Sequence, residues 1–304
     1  MSNYKRKILL AVDGSDQALD AVRYVSQLFP PNRVEVVLFH VMSEIPESYW
    51  DIKKNPAFRH KLAHVAAWAT QQKTQIQDFM ERSRQLFVDR GIPEKAVTVK
   101  FQDRQVGIAR DIAREARGDC DALVVGRWGV SKVKDFVWGS VANKLVGHPT
   151  HSPIWVVGGT PYPGKILVAL DASEEAIRVV NYVGSMVEGS NWKVNLFHVI
   201  RGFEDSIAEA QAEFRQAEQA IADVFEQSIA RMEKAGLKSD LITTKTVTRV
   251  PSRAKAIVEE AKKGGYGTIV LGRRGLSRVE EFFMGRVSNK VLQLAKEMAV
   301  WVVI

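Results

Sequence analysis

Apolar residues fall into two patterns along this chain. Short runs rich in Val, Ile and Leu alternate with longer stretches in which apolar residues return every three or four positions. In the first half the short runs are KILLAV from Lys7, VEVVLFHV from Val34, AVTVKF from Ala96, DALVVG from Asp121 and PIWVV from Pro153. The second half offers KILVAL from Lys165, KVNLFHV from Lys193, LITTKTV from Leu241, GTIVLG from Gly267 and AVWVVI from Ala299. Near-continuous apolar runs without polar alternation are the pattern of strands buried on both faces. The segments SDQALDAVRYVSQLF from Ser15, TQIQDFMERSRQLFVDRG from Thr74 and IARDIAREAR from Ile108 carry helical spacing. Strands alternating with helices predict a parallel sheet covered by helices on both faces, with ligands bound beyond the carboxyl ends of the strands.

The pattern occurs twice. KILLAVDGSDQALDAVRYV from Lys7 returns as KILVALDASEEAIRVVNYV from Lys165, an offset of 158 residues. DALVVGRWG returns as GTIVLGRRG, and SPIWVV as MAVWVV, both at an offset of 146. The difference of 12 residues lies between the second and third strands, where the first copy has the extra stretch SEIPESYWDIKKNPAF. A period this long marks a duplicated domain rather than a solenoid. The linker VGGTPYPGK, rich in Gly and Pro, puts the boundary near Gly159. The expected architecture is therefore two tandem Rossmann-like α/β domains, 1–158 and 163–304. Each is a five-stranded parallel open sheet with helices on both faces.

Composition narrows the setting. The chain has 304 residues, 46% hydrophobic and 26% charged, the balance of a globular protein. No apolar run approaches the roughly 18 residues that span a membrane. The apolar run in MSNYKRKILLAVDGS reaches Asp13 after about five residues, short of the roughly 7–15 of a signal peptide. One cysteine, Cys120, leaves no internal disulfide framework and suits a reducing compartment, so the expected location is the cytoplasm. The net charge of +8 favours anionic ligands, but the charges are scattered rather than clustered.

The chemistry centres on the stretch GRWGVSKVKDFVWGS from Gly126 to Ser140. Gly126 and Gly129 follow the strand DALVV, where they let the backbone turn and leave room against the main chain. Gly139 and Ser140 open the helix-like SVANKLVGH, and a helix N-terminus offers unpaired amides and the positive end of a dipole to an anion. The alternative is that the first two glycines only turn the chain and Ser140 only caps a helix.

The segment VVGRWGVSKVKDFVWGSVANKLVGHPTHSPIWVV resembles the nucleotide-binding signature of the universal stress protein family, Gly-x2-Gly-x9-Gly-Ser/Thr. The resemblance extends over both halves, including the Asp after the first strand and the His-Val ending the second. It implies an adenine-nucleotide site, with ATP as the ligand, with or without Mg. In the first copy Ala11, Val12 and Asp13 would border the adenosine, and Asp13 would approach the ribose or base. Val41 would offer backbone groups to the adenine edge, and Gly126 would lie near the ribose. Gly129, Gly139, Ser140 and the Val141 amide would hold the phosphates. In the second copy Asp171, Val199, Gly272, Gly275 and Gly285 match, but Arg286 replaces the hydroxyl residue. Arg286 would either fold into the crevice and fill the phosphate site, or point to solvent or pair with phosphate as a charged donor, keeping the site usable. Single-domain relatives of that family are expected to dimerise through the last strand. That implies an internal pseudo-dimer here and leaves a further homodimer open.

Other motifs lack their context. GGTPYPGKI is one residue short of a P-loop and leads into a strand, and GGYG at Gly264 follows a helix. His60 and His64 lie four apart on a helix without the Glu of an HExxH pattern, and His40 and His198 recur at corresponding strand ends. Asp13, Lys132 and Lys134 form no recognised phosphoryl-transfer set. A regulatory nucleotide-binding module is thus favoured over a slow ATPase or nucleotidyl transferase, over an interaction module without nucleotide, and over a nucleic-acid binder, which lacks a basic stripe with interleaved aromatics.

Overall fold

The computed structural model describes residues 5–42, 59–117, 120–129, 139–147, 150–201, 208–273 and 284–304. The first half supplies β1 (Arg6–Ala11), β2 (Val34–Met42), β3 (Val97–Asp103), β4 (Ala122–Gly126) and β5 (Ile154–Val157). The second supplies β6 (Lys165–Ala169), β7 (Lys193–Ile200), β8 (Ile242–Thr248), β9 (Thr268–Gly272) and β10 (Ala299–Val303). Helices α1 (Asp16–Ser26), α2 (Arg59–Asp89), α3 (Ile108–Glu115) and α4 (Ser140–Gly147) belong to the first half. Their counterparts are α5 (Glu174–Val187), α6 (Ala208–Lys234), α7 (Arg253–Gly264) and α8 (Arg286–Leu294).

All ten strands form one sheet, in the order β3-β2-β1-β4-β5-β10-β9-β6-β7-β8. Within each half the pairings are parallel, and the halves join where β5 runs antiparallel to β10. Side chains alternate between the two faces of this sheet. Ile8 and Leu10 enter one apolar cluster with residues of α1, α2, α5 and α6; Leu9 and Ala11 enter another with α3, α4, α7 and α8. Each half is thus a mostly parallel α/β unit with helices on both faces, as the two periodicities dictate.

The two edge strands depart from the buried-on-both-faces expectation. Among the described residues β3 and β8 each have one neighbouring strand, and most of their side chains are at least partly exposed. Their runs carry polar residues at exposed positions, Thr98 and Lys100 in β3 and Thr243 to Thr246 in β8, as suits the edge of a sheet. The helical segment read from Thr74 also starts earlier, at Arg59. The intervening RHKLAHVAAWATQQK is rich in helix-forming Ala, Lys and Gln and has neither Gly nor Pro.

The join between the halves is built from a repeated pair of residue types. Trp155 lies directly opposite Trp301, and their rings stack at 4.0 Å and 4°. The Trp155 indole donates to the Tyr182 hydroxyl on α5 at 3.0 Å, and the Trp301 indole donates to the Tyr24 hydroxyl on α1, also at 3.0 Å. Each tryptophan is thus satisfied by the first helix of the other half. Tyr24 and Thr268 share a further hydrogen bond at 2.7 Å, and Tyr182 donates to the Asp121 carbonyl at 3.0 Å. The linker is held as well: the Gly158 amide donates to the Met298 carbonyl at 3.2 Å.

Candidate functional site

The order β3-β2-β1-β4-β5 reverses direction between β1 and β4, and β8-β7-β6-β9-β10 reverses between β6 and β9. A crevice opens beyond the carboxyl ends of strands at such a switch point. In the first half that end carries Ala11 as the last residue of β1, Val12 and Asp13 after it, Val41 near the end of β2, and Gly126 to Gly129 at the end of β4. Ala11, Val12 and Val41 are buried and Asp13 is half-buried. One oxygen of Asp13 accepts from the Ser15 amide at 3.1 Å, and the other faces Gly129, where any Cβ would collide with it. Asp13 is therefore not the cap of α1. That role falls to Ser15, whose hydroxyl accepts from the Ala18 amide at 3.1 Å.

The glycines serve different purposes. A Cβ on Gly126 would lie 3.0 Å from the Gln17 carbonyl and 3.2 Å from the Ala18 nitrogen, so the room beside it is taken by the first turn of α1. This glycine serves close helix–strand packing. Gly126→Ala is expected to cost about 1–3 kcal/mol, read as a lower denaturant midpoint; an unchanged midpoint would show that α1 can retreat freely. Gly139 packs against the strand-end turn, its Cβ position 3.0 Å from the Arg127 carbonyl and 3.3 Å from the Trp128 Cα. Its amide donates to the Arg127 carbonyl at 2.7 Å, which brings the start of α4 beside the end of β4. The first amides of α4, on exposed Ser140 and half-buried Val141, thus stand next to the turn that Asp13 faces. Gln17, which sequence reasoning missed, secures this turn by accepting from the Trp128 amide at 2.7 Å. Residues 130–138, with Lys132 and Lys134, lie outside the described residues.

The second half repeats the plan with changed side chains. Asp171 accepts from the Ser173 amide at 3.2 Å and from its hydroxyl. The Gly285 amide donates to the Arg273 carbonyl at 2.8 Å, the counterpart of the Gly139 bond, and Ser288 ties α8 to the Gly272 carbonyl at 2.8 Å. Val199 is buried near the end of β7, and Gly275 lies outside the described residues. Arg286 is the first residue of α8 and its side chain is exposed. Of the two arrangements open to Arg286, the structure has the outward one.

His40 and His198 are struts rather than free imidazoles. The Nδ1 of His40 donates to the Val12 carbonyl at 2.7 Å, and that of His198 to the Leu170 carbonyl at 2.7 Å. Each holds the turn after a first strand against the second strand, and a carbonyl partner fixes the Nδ1–H tautomer. Burial holds both imidazoles below the ordinary value of 6.5, outweighing the opposite pull of the carbonyl and the neighbouring Asp13 or Asp171. The native state therefore binds these protons less readily than the unfolded chain. Stability is full above about 6.5 and declines as pH falls towards the folded values. Urea midpoints are expected to drop between pH 7.5 and 5.5, and to drop less in the double variant His40→Gln/His198→Gln. An equal drop in both proteins would remove the histidines from this account.

The β3–α3 loop at the same end of the sheet hangs on Asp111. Its buried carboxylate accepts from the amides of Gln105 at 2.9 Å, Gly107 at 3.2 Å and Val106 at 3.2 Å. Burial alone would raise its pKa, but the three amides and Arg114 hold it below the usual carboxylate value. The acid is an anchor for the loop.

The arginines inside the repeated Gly-Arg-x-Gly were not singled out by sequence reasoning, yet they connect the halves. Arg127 is buried, and its guanidinium donates to the Leu292 carbonyl and, at 2.7 Å, to the Ala295 carbonyl at the C-terminal end of α8. Arg273 donates to the Val146 carbonyl in the last turn of α4 at 3.1 Å. Each strand-end turn thus caps the helix whose N-terminus forms the mouth of the other crevice. The signal was the recurrence of Arg at both positions.

Burial pushes the Cys120 thiol up to about 11, and it donates to the Ala122 carbonyl at 2.7 Å, so it is not an activated nucleophile. Among the described residues no group of three or more His, Cys, Asp or Glu is placed to hold a metal ion, and no helix is long and apolar enough to cross a membrane.

Comparison with known proteins agrees with the fold. The universal stress protein family model matches residues 5–158 and again 163–303. The crystal structure of a universal stress protein from Archaeoglobus fulgidus DSM 4304 is similar over 98% of this chain and 97% of its own, with 17% identity and a TM-score of 0.62. A functionally unknown protein from Pseudomonas aeruginosa PAO1 is similar over 98% of this chain and 92% of its own, with 14% identity and a TM-score of 0.57. A universal stress protein in complex with cAMP matches 46% of this chain and 96% of its own, with 23% identity and a TM-score of 0.35. No curated protein matches the chain. Two family matches that together span nearly the whole length lead to one conclusion: the chain is a tandem member of the universal stress protein family.

Proposed function

We propose that the first half, residues 1–158, binds an adenine nucleotide, ATP, and that occupancy rather than turnover is its output. The observation that carries this reading is the bond from the Gly139 amide to the Arg127 carbonyl. It sets the open N-terminus of α4 beside the turn after β4, so the Ser140 and Val141 amides converge where phosphates of a ligand at the switch point would lie. From there the crevice extends over β1 towards the end of β2. Asp13, half-buried and already oriented by Ser15, suits the hydroxyls of a ribose as an acceptor. The base then lies towards Val41, whose main-chain groups read an adenine edge. Magnesium, if carried in by ATP, would neutralise phosphate charge.

In the same reading the pairing of β5 with β10 takes the place that a second copy would fill, so the chain works as a built-in dimer of its two domains, 1–158 and 163–304. A regulatory output follows from this arrangement, because each mouth is connected to the other half through Arg127 and Arg273.

The test is an equilibrium titration with ATP. Gly139→Val forces a side chain against the backbone of Arg127 and Trp128 and is expected to weaken binding about 100-fold or more, a loss of roughly 3 kcal/mol. Full affinity in a folded Gly139→Val protein would remove the pocket from this position. Several turnovers per second in the unaltered protein would favour the enzyme reading.

A further inference from the structure

Among the described residues the two crevices differ at the end away from the phosphate side. In the first half that end is apolar: Ile108, the first residue of α3, packs against the cluster that contains Val41 and Ala109. In the second half the first residue of α7 is Arg253, followed by buried Ala254 as Ile108 is by Ala109. The Nε of Arg253 donates to the Val199 carbonyl at 3.3 Å. Val199 is the counterpart of Val41. The loop that delivers Arg253 is also rebuilt. Ala256 stands where the first half has the loop anchor Asp111, Arg249 takes a left-handed φ of 57°, and Ser252 caps α7 by accepting from the Lys255 amide at 3.4 Å.

We propose that Arg253 sets the ligand specificity of the second crevice. It occupies the backbone acceptor at the end of β7 and replaces it with guanidinium donors, so that the site rejects adenine nucleotides and accepts phosphorylated ligands bearing an oxygen at that end. An adenine amino group needs an acceptor, and the carbonyl it would use already receives the Arg253 Nε–H on one of its two lone pairs, so the amino group would meet guanidinium donors beside it. The remaining N–H groups of Arg253 suit a carbonyl or anionic oxygen instead. The charge acts locally: Arg253 and Asp171 pull the His198 imidazole in opposite directions. Arg286 does not set this preference, because its side chain is exposed and the α8 amides do not depend on it. The inference rests on the reading that bases lie towards Val41 and Val199.

The experiment is calorimetric titration of the full chain with ATP, followed by inosine triphosphate, which differs from ATP by an oxygen in place of the amino group. The unaltered protein is expected to take one ATP per chain and, once saturated, one inosine triphosphate. Arg253→Ile, which copies the first half, is expected to take two ATP and then no inosine triphosphate, while Arg286→Ser keeps the pattern of the unaltered protein. Arg253 is exposed, so Arg253→Ile is expected to fold, and equal thermal midpoints check this. Two ATP per unaltered chain, or one per Arg253→Ile chain, overturns the role of Arg253 and leaves ATP binding by the first half standing. No ATP bound by either protein overturns the proposed function and this inference with it.

Discussion

Trp301→Ala is expected to lower the stability of the chain by about 4 kcal/mol, the middle of the range for removing a buried tryptophan. The ring is 1% exposed and stacks on Trp155 at 4.0 Å, at the strand pairing that makes two sheets into one. Its removal opens a cavity, ends an aromatic stack worth about 1 kcal/mol, and takes from the Tyr24 hydroxyl the indole donor of the other half. Trp155→Ala is expected to cost a similar amount, since Trp155 is fully buried and holds Tyr182 in the same way. The double variant should lose less than the sum, because either single change already ends the stack. Denaturant midpoints measure all three. A loss below about 1 kcal/mol in either single variant would mean that the pairing of β5 and β10 contributes little to the folded state.

Arg127→Met is the second large expected effect, a loss of about 3 kcal/mol. The side chain is 1% exposed, and burial pulls its pKa down to about 10 against the opposite influence of Glu297, so it stays cationic at neutral pH. Burying this charge is costly, and the cost is offset because the guanidinium satisfies two carbonyls at the C-terminal end of α8 and meets the negative end of that helix. Methionine fills the space but leaves both carbonyls unpaired. Arg127→Lys is expected to recover only part of the loss, because one ammonium cannot reproduce the planar fork. Arg273→Met should cost less, about 1 kcal/mol, since its side chain is half-buried where that of Arg127 is fully buried. The order of the three variants is the test. An Arg127→Met protein as stable as the unaltered chain would show that α8 finds its cap elsewhere.

Much of the fold was legible in the sequence because the signals are local. Each of the ten apolar runs lies on a strand, and the repeated phrases mark both domains of the family. The glycine spacing was legible too, but not what each glycine is for. Gly126 looks like a place for a ligand until α1 is seen 3.0 Å away, a contact made by a segment more than a hundred positions distant. Arg127 was overlooked for the same reason: nothing near it in sequence announces that the end of α8 lies within hydrogen-bond reach. Arg286 stands where the copies differ at a signature position, whereas Arg253 differs outside the signature and donates to the Val199 carbonyl at the end of β7. Local pattern identifies elements and turns. The partners of long polar side chains depend on topology.

The most direct test of the account is native mass spectrometry of the intact chain with ATP, with and without Gly139→Val. The account predicts one ATP per unaltered chain and none on Gly139→Val at the same concentration. An unaltered chain that carries no nucleotide even at millimolar ATP would contradict it.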